Sequence, residues 1–352
     1  MNLLEEWNES DALTEYEKEI LSKRLHHGEN VETDWDNAPY DTRLEFRWQN
    51  IRTQYFDLMP NCGLDPDIWH LNFSTCCSNF IRELFNKHVD NDTLVISSDC
   101  EHPTVKECLS KCKNTLILGQ HQDIRTFNLN KIYTEIAKYK KVFVYIIGMR
   151  NDTGEITPQS FMETLKNMLE AENKEHIIVL DDVQGMFFMP RDYTMYDYVL
   201  GTGHVAVPNF DMGIMISKEP YDGNRVISRG EYYLEPLKIV VKRLKKLYNF
   251  RYCCNKYFAK FMTEDNVSQA LSAPHIFYLQ NDKFKVSPEL SLAIEKVHTL
   301  IMPNNTCVGG IRMRALGFIT DPTALPKALK IFEHVLNNNG ITEDKVKEFL
   351  NA

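Results

Sequence analysis

The 352-residue sequence has no apolar run long enough to cross a membrane, and it has no excess of positive charge. Its first twenty residues are too acidic for a signal peptide, so we expect a cytoplasmic protein with no membrane contact. A net charge of −9 at pH 7 argues against nucleic acid as a partner. The adjacent cysteines at 76–77 and 253–254 lack zinc-site spacing, and we predict no metal centre.

What is present is typical of a soluble globular protein able to bury a sizeable core, with 43% apolar and 25% charged residues. Short apolar runs alternate with helical patterns through the middle of the chain, which predicts an α/β fold with a mainly parallel sheet. The predicted strands are Trp69–Phe73, Leu94–Ser97, Val142–Ile147, Ile177–Leu180, Tyr198–Leu200 and Gly213–Ile216. A long helix is predicted from Glu235 to Met262, and a smaller α+β segment follows it.

Polar residues follow two of these strands directly. Asp181 and Gln184 come after Ile177–Leu180, and Thr202 and His204 come after Tyr198–Leu200. Open α/β sheets bind their ligands at the carboxyl ends of adjacent strands. The sequence therefore predicts a ligand site at this edge of the sheet.

The series Asp181, Gln184, Thr202, Gly203 and His204 resembles a family motif in order and spacing. The family is the class V aminotransferase and cysteine desulfurase branch of the fold-type I enzymes, which use pyridoxal 5'-phosphate (PLP). Its motif reads Asp-x-x-Gln, then about twenty residues to Ser/Thr-Gly-His-Lys. The resemblance implies a large PLP-transferase-like domain with a mainly parallel mixed sheet, and a smaller C-terminal α+β domain. It implies further that Asp181 contacts the ring nitrogen, Gln184 the ring oxygen, and Thr202 and His204 the phosphate.

Upstream motifs extend the resemblance. Ser74, Thr75 and Cys76 lie in a small polar cluster, 74–78, that opens a predicted helix and resembles the first phosphate-binding turn of the family. From the residues alone, this cluster is also compatible with a Ser/Thr helix N-cap. His102 stands where the family has a histidine that stacks on the pyridine ring, and a solvated loop residue is the alternative. Asn151 stands where an asparagine reaches the ring hydroxyl, and an ordinary turn is its alternative.

The C-terminal part carries one further match and two losses. Arg312 falls on the strand that carries the substrate-carboxylate arginine, and Arg314 replaces the usual serine beside it. Tyr233 and Leu234 replace a Gly-Thr pair whose threonine reaches the phosphate of the neighbouring subunit. The region corresponding to the persulfide cysteine of the desulfurases, 295–305, contains no cysteine.

The decisive departure is Val205, which stands where the family has the lysine that holds the cofactor as a Schiff base. Valine can neither anchor PLP nor move a proton, so the usual chemistry of the family should be lost or severely impaired. The first of three hypotheses is an enzyme that binds PLP, or its amine form pyridoxamine phosphate (PMP), noncovalently. His204 or His102 would then be the acid/base and an amino-acid-like molecule the substrate. The second is a pseudoenzyme that binds a partner. The third, with the least support, is a pocket repurposed for another ligand, including a metal held by His102, His204 and Asp181.

We predict three segments along the chain: an N-terminal helical segment over residues 1–60, a large α/β domain over 61–225, and an interdomain helix with a small α+β domain over 226–352. Members of the family build each site at a dimer interface. The resemblance therefore implies a homodimer, or a heterodimer with an active homologue that carries the lysine.

Overall fold

The structure is a computed structural model of the chain. It describes residues 14, 40–118, 129–151, 153–206, 212–221, 227–247, 254, 275–280, 301–303, 310–314, 324–338, 342, 344–345 and 348–349. The side chains of His204, Arg312 and Arg314 lie outside this description.

The described elements alternate between strands and helices, as predicted. The strands are β1 His70–Ser74, β2 Thr93–Ser98, β3 Asn114–Leu118, β4 Lys141–Ile147, β5 Glu175–Asp181, β6 Tyr198–Thr202, β7 Gly213–Ser217, β8 Ile276–Gln280, β9 Ile301–Pro303 and β10 Gly310–Arg314. The helices are α1 Tyr40–Leu58, α2 Cys77–His88, α3 Pro103–Leu109, α4 Leu129–Ile136, α5 Gln159–Ala171, α6 Gly203–Ala206, α7 Ile227–Leu247 and α8 Ala324–Asn338.

Seven strands form one mixed sheet in the order β1-β7-β6-β5-β4-β2-β3. Five neighbouring strands, β2, β3, β4, β5 and β6, are parallel to one another. Strand β7 is antiparallel to both β6 and β1. The predicted mainly parallel mixed sheet is therefore confirmed. Strands β4 to β7 are nearly continuous apolar runs because helices cover both faces of such a sheet.

One hydrophobic core cluster lies between the sheet and α2. Phe80, Ile81, Leu84 and Phe85 recur at helical spacing and form the buried face of α2. They pack in one cluster with apolar residues of β2, β4, β5, β6 and β7, and Tyr145 belongs to this cluster. This packing fixes the first turn of α2 against the sheet, because the helix has no freedom to rotate once that face is buried.

Helix α1 packs near the antiparallel edge of the sheet. The ring centroids of Trp48 and Tyr55 lie 5.9 and 5.2 Å from that of Phe73 in β1. The Tyr55 hydroxyl donates to the carbonyl of Gly230 in α7, 2.8 Å away. A Cβ atom at Gly230 would lie 2.1 Å from the Phe73 ring, so glycine is needed there for α7 to approach β1.

Helix α7 begins earlier than the sequence pattern indicated. We expected a basic-faced helix from Glu235 to Met262, and its predicted end lies outside the described residues. Instead the helix starts at Ile227 and runs through Pro236. A proline at this position removes one hydrogen bond to the carbonyl of Tyr232. Tyr232 is exposed, so water can satisfy that carbonyl and the helix continues.

A three-stranded antiparallel sheet, in the order β8-β10-β9, lies in the C-terminal part of the chain. Backbone contacts divide the chain into two compact units. One comprises Arg24–Arg150 and Thr157–Lys238, and the other comprises Met1–Lys23, Asn151–Ile156 and Ile239–Ala352. Among the helices of the described residues, none has the length and apolar character needed to span a bilayer.

Candidate active site

Seven strand ends meet at one edge of the large sheet. The parallel strands β2, β3, β4, β5 and β6 end there, together with the last residue of β1 and the first residue of β7. Ser74 and Thr202, both predicted to hold a phosphate, are paired in register with Gly213 from its two sides. Neighbouring strands lie about 4.8 Å apart, so these two predicted residues flank a single strand.

The turn that precedes α2 lies directly against Gly213. A Cβ atom at Gly213 would come within 2.6 Å of the Cys76 carbonyl and the Cys77 nitrogen. Only glycine therefore allows this close approach of two backbones. The Ser74 and Thr75 hydroxyls accept hydrogen bonds from Asn79 Nδ2, at 3.2 and 2.9 Å. The N-cap residue is Cys76, and its side chain makes no capping hydrogen bond. Neither hydroxyl is therefore the N-cap of α2.

Asp181 ends β5 and is buried, with 4% of its surface exposed. Tyr145 donates its hydroxyl hydrogen to Asp181 Oδ2 at 2.8 Å, and the Val183 N–H donates to Oδ1 at 3.3 Å. Burial raises the pKa of Asp181 to about 6, although these two hydrogen bonds act in the opposite direction. The charge of Asp181 also contributes to raising the pKa of the Cys77 thiol, after burial, so the start of α2 is near this carboxylate.

Glu101 is a second buried carboxyl group at the same edge. Its Oε1 accepts from the Ser98 hydroxyl at 2.6 Å and from the Ile147 N–H at 3.0 Å. Its Oε2 is buried and has no hydrogen-bond partner. Burial raises the pKa of Glu101 to about 8, and the Asp181 charge adds to this. Ile147 is paired in register with Asp181, so the two acids lie on either side of one strand end.

His102 stands at the N-terminus of α3. Its Nδ1 accepts a hydrogen bond from the Thr104 N–H at 3.2 Å, and the residue is solvent-accessible. Partial burial lowers its pKa, so the imidazole is neutral at pH 7. The Thr104 hydroxyl lies 3.1 Å from that of Ser78. The predicted phosphate turn and the predicted stacking histidine are therefore connected through Thr104 by two hydrogen bonds.

The segment after β6 is held by buried contacts. The Thr202 hydroxyl donates to the Met212 carbonyl at 2.9 Å, and the Tyr233 hydroxyl donates to the Gly203 carbonyl at 2.7 Å. Helix α6 contains His204 and Val205. The Val205 side chain is 3% exposed. Val205, which the sequence resemblance aligns with the family lysine, is thus a buried apolar residue.

Asp182, the residue after Asp181, has a structural role. It is fully buried, and its Oδ2 accepts from the Tyr193 hydroxyl at 2.6 Å and lies 3.7 Å from Arg191 Nε. Arg191 also donates to the Gly148 and Thr157 carbonyls at 3.1 and 3.3 Å. Arg191 therefore connects the loop after β5, which contains Asp182, to the segment after β4, which contains Gly148 and Thr157.

The remaining predicted residues are less closely defined. Gln184 is buried in the turns that follow β5. Asn151 is exposed and belongs to the unit that also contains β10, the strand of Arg312 and Arg314. Among the side chains that the structure describes, no three metal-binding groups come together.

Two residues at this edge escaped the sequence analysis. Tyr145 was predicted only as part of an apolar strand, and Glu101 was assigned no role. A signal was present in each case: Tyr145 is the one residue with a polar tip in the run VFVYII, and Glu101 closely follows a buried strand. Neither signal predicts the hydrogen-bond partner, because Asp181 and Ile147, the partners of Tyr145 and Glu101, lie far away in the sequence.

No protein-family model and no curated protein matches the chain. Solved structures do match it. An X-ray structure of a NifS-like protein from Rickettsia africae ESF-5 is 14% identical and has a TM-score of 0.63, with 87% of this chain and 92% of that chain covered. The chain has the fold of this NifS-like protein. At such identity the likeness shows the fold alone, which is fold type I of the PLP-dependent transferases.

Two further solved structures are similar to the chain in fold. The apo cysteine desulfurase from Thermococcus onnurineus NA1 is 12% identical, with a TM-score of 0.63 and coverage of 93% of this chain and 92% of that chain. A PLP-bound C-S lyase from Staphylococcus hominis is 12% identical, with a TM-score of 0.53 and coverage of 89% and 99%.

Proposed function

We propose that this chain binds PLP or PMP noncovalently at the edge described above and acts on an amino acid or amine without a Schiff-base lysine. The observation that carries the proposal is Asp181: a buried carboxyl group at the end of β5 that is held by Tyr145 and lies close to the first turn of α2. The PLP-bound lyase and the desulfurase of this fold support the choice of cofactor.

The residues present fit the two ends of this cofactor. The phosphate would be held by the Ser74, Thr75 and Cys76 turn, since a helix N-terminus attracts anions, and His204 would contribute from the other side. The hydroxyl hydrogen of Thr202 is already donated to the Met212 carbonyl, so Thr202 would shape this side of the site without donating to the phosphate. The ring nitrogen would face Asp181, whose ionised carboxylate keeps that nitrogen protonated. Because Gly213 has no Cβ, the polar turn can lie directly against β7. The backbone itself therefore positions this turn for a phosphate.

The cofactor supplies an electron sink for the carbanion that develops at the substrate carbon. The chain must supply the proton transfer, and Val205 is unable to do so. His102 is the described candidate: it is accessible and neutral near pH 7, and it would take up the proton at Nδ1 once the hydrogen bond from the Thr104 N–H opens. His204 is the second candidate. His102 is also proposed to cover the ring, with Gln184 and Asn151 serving the ring oxygen and Arg312 or Arg314 the substrate carboxylate.

The alternative is a catalytically inactive subunit that binds or regulates a partner. The apolar packing of Val205 favours it, since 3% exposure gives the residue no surface for chemistry. Buried acids favour the enzyme over this alternative. Asp181 and Glu101 both keep their protons to higher pH than usual at a cost in stability, and a pocket with no ligand gains nothing from them.

Binding of PLP to the purified protein tests the proposal. After gel filtration, the wild type should retain the absorption of the free aldehyde, and borohydride should leave no label on the chain. Asp181→Ala should weaken PLP binding by about 1.5–3 kcal/mol, roughly ten- to a hundred-fold, since it removes a charged hydrogen bond. Asp197→Ala is the matched control, because Asp197 accepts from the Ile178 N–H nearer the other end of β5.

A second arm restores the lysine. Val205→Lys should give a covalent bond to PLP that borohydride reduces, and peptide mapping should locate the label at position 205. Val205→Met, which has a long side chain without an amine, should give none. If Asp181→Ala leaves the affinity unchanged and Val205→Lys acquires no label, the edge is not a PLP site and the partner-binding function takes precedence.

A further inference from the structure

Tyr145 lies inside β4, among aliphatic residues, and is fully buried. A buried phenol needs an acceptor for its hydrogen, and the acceptor here is Asp181 Oδ2 at 2.8 Å. The Tyr145 carbonyl in turn accepts from the Ser97 hydroxyl of β2 at 2.8 Å. Both the ring and the backbone of Tyr145 are thus fixed, and its hydroxyl group has one position relative to the end of β5.

This hydrogen bond constrains the Asp181 carboxylate. Oδ2 is held by Tyr145 and Oδ1 by the Val183 N–H, so rotation about the last side-chain bond would break both contacts. The other titratable groups near Asp181 are Cys77 of α2, Glu101 before α3 and Asp182 of its own segment. Each of these is neutral or negative. Of the side chains that the structure describes, Tyr145 is therefore the one that donates a hydrogen bond to this carboxylate.

We propose that Tyr145 is a positioning residue for the ring-nitrogen contact, which sets the orientation of Asp181 and favours its ionised form. The proposal rests on the proposed function, since it assigns Asp181 to the cofactor. The Tyr145 hydroxyl donates to Asp181, and Tyr145 acts on the ligand through that residue. A carboxylate that accepts a hydrogen bond holds its negative charge more readily, and an ionised carboxylate is what a protonated ring nitrogen requires.

An internal comparison separates this role from ordinary core packing. Tyr193 donates to Asp182 Oδ2 at 2.6 Å, so the chain contains two buried tyrosine–aspartate bonds one residue apart. Asp182 is fully buried and has Arg191 beside it, which supplies a positive charge from the protein itself. Asp181 ends its strand at the edge of the sheet, and within the described part of the chain no arginine or lysine forms an ion pair with it. The positive charge opposite the Asp181 carboxylate would come from the protonated ring nitrogen of the ligand.

The test measures PLP affinity against pH for the wild type, Tyr145→Phe and Tyr193→Phe. Without the phenol, the pKa of Asp181 should rise, and the pH below which affinity is lost should rise with it. We expect Tyr145→Phe to bind PLP roughly tenfold more weakly than wild type near pH 6 and within about threefold near pH 8.5. Tyr193→Phe should lose stability to a similar extent but keep the wild-type profile. A Tyr145→Phe profile that is parallel to wild type at every pH overturns the proposal.

A measurement without cofactor separates this proposal from the proposed function. Carboxyl NMR of the ligand-free protein, with the Asp181 signal assigned by its loss in Asp181→Asn, should show a higher pKa for Asp181 in Tyr145→Phe than in wild type. If wild type binds no PLP, the function fails and this titration still decides what Tyr145 does to Asp181. An unchanged titration overturns the positioning role. Should Tyr145→Phe fail to fold, Tyr145→Met fills the space with an adaptable apolar side chain and takes its place in both measurements.

Discussion

Glu101 is the least expected residue of the site, since an acid with an unpartnered buried oxygen is costly to fold around. The pKa near 8 that results from burial means that this carboxyl group is neutral at pH 7. The unfolded chain ionises the same group near pH 4.3. Between these two values the folded protein binds one more proton than the unfolded chain, so the free energy of unfolding falls as pH rises through this window.

We therefore predict that Glu101→Gln makes the protein more stable at alkaline pH. The Gln oxygen can still accept from Ser98 and Ile147, and its amide group has no proton to lose. The gain in unfolding free energy should be small at pH 5 and roughly 2–4 kcal/mol at pH 8 to 9. Urea unfolding at both pH values measures it. Glu175→Gln, at the exposed start of β5, is the control and should change neither value. An equal effect of Glu101→Gln at both pH values would contradict the prediction.

The residue scale also shows what the sequence could and could not predict. Asp181 was found because it follows a buried strand, and Ser74 because a small polar cluster precedes a helix. Tyr145 was not found, because a tyrosine within an apolar strand is usually a core residue and its acceptor is 36 residues away. Local patterns report which residues lie at an edge. They carry no information about which two side chains meet there.

At the scale of elements, the six predicted strands of the large sheet are all present, and each end differs from the prediction by two residues at most. The reason is that a strand covered on both faces must be apolar along its whole length, which makes its limits visible. The start of α7 was wrong because Pro236 stands inside the helix. The pairing of β1 with β7 was not predictable, since nothing in a strand's own residues specifies a partner about 140 positions away.

The contact between β7 and the turn before α2 leads to a prediction at this scale. Gly213→Ala would place a Cβ 2.5 Å from the backbone of Cys76, so the whole turn must move away from the strand. Gly201→Ala is a matched control in β6, because its Cβ would meet only the flexible end of Met186, at 2.3 Å. We expect Gly213→Ala to weaken PLP binding by about tenfold or more, and Gly201→Ala to weaken it by less than about threefold, since side chains yield more easily than backbone.

Equilibrium dialysis with PLP, and with inorganic phosphate as competitor, measures the effect. Phosphate should compete less well with the Gly213→Ala variant if the turn holds the phosphate group. Circular dichroism confirms that each variant is folded before its affinity is compared. Equal losses in the two alanine variants would show that general destabilisation, and not the position of the turn, controls binding.

For the whole molecule, the proposal is a homodimer, or a heterodimer with a lysine-bearing homologue. One surface of the described residues has a suitable character. Helices α1 and α7 are joined by an ion pair between Arg47 and Glu231, and the aromatic residues next to these two in the sequence, Phe46 and Tyr232, are exposed. Exposed aromatic residues beside a charged pair are typical of protein interfaces, where they form the apolar centre and the charges form the rim.

We predict that the wild type has twice the 41.1 kDa mass of one chain in light scattering at micromolar concentration. The double variant Phe46→Glu/Tyr232→Glu should shift the mass towards that of one chain, because burying two carboxylates in an apolar interface costs more than the contact gains. Ile68→Glu, at a residue that is 60% exposed, is the control and should leave the mass unchanged. If the wild type is a monomer, the homodimer is excluded, and a pull-down with a lysine-bearing homologue decides whether the surface serves a heterodimer. If the wild type is a dimer that the double variant leaves intact, the interface lies elsewhere on the chain.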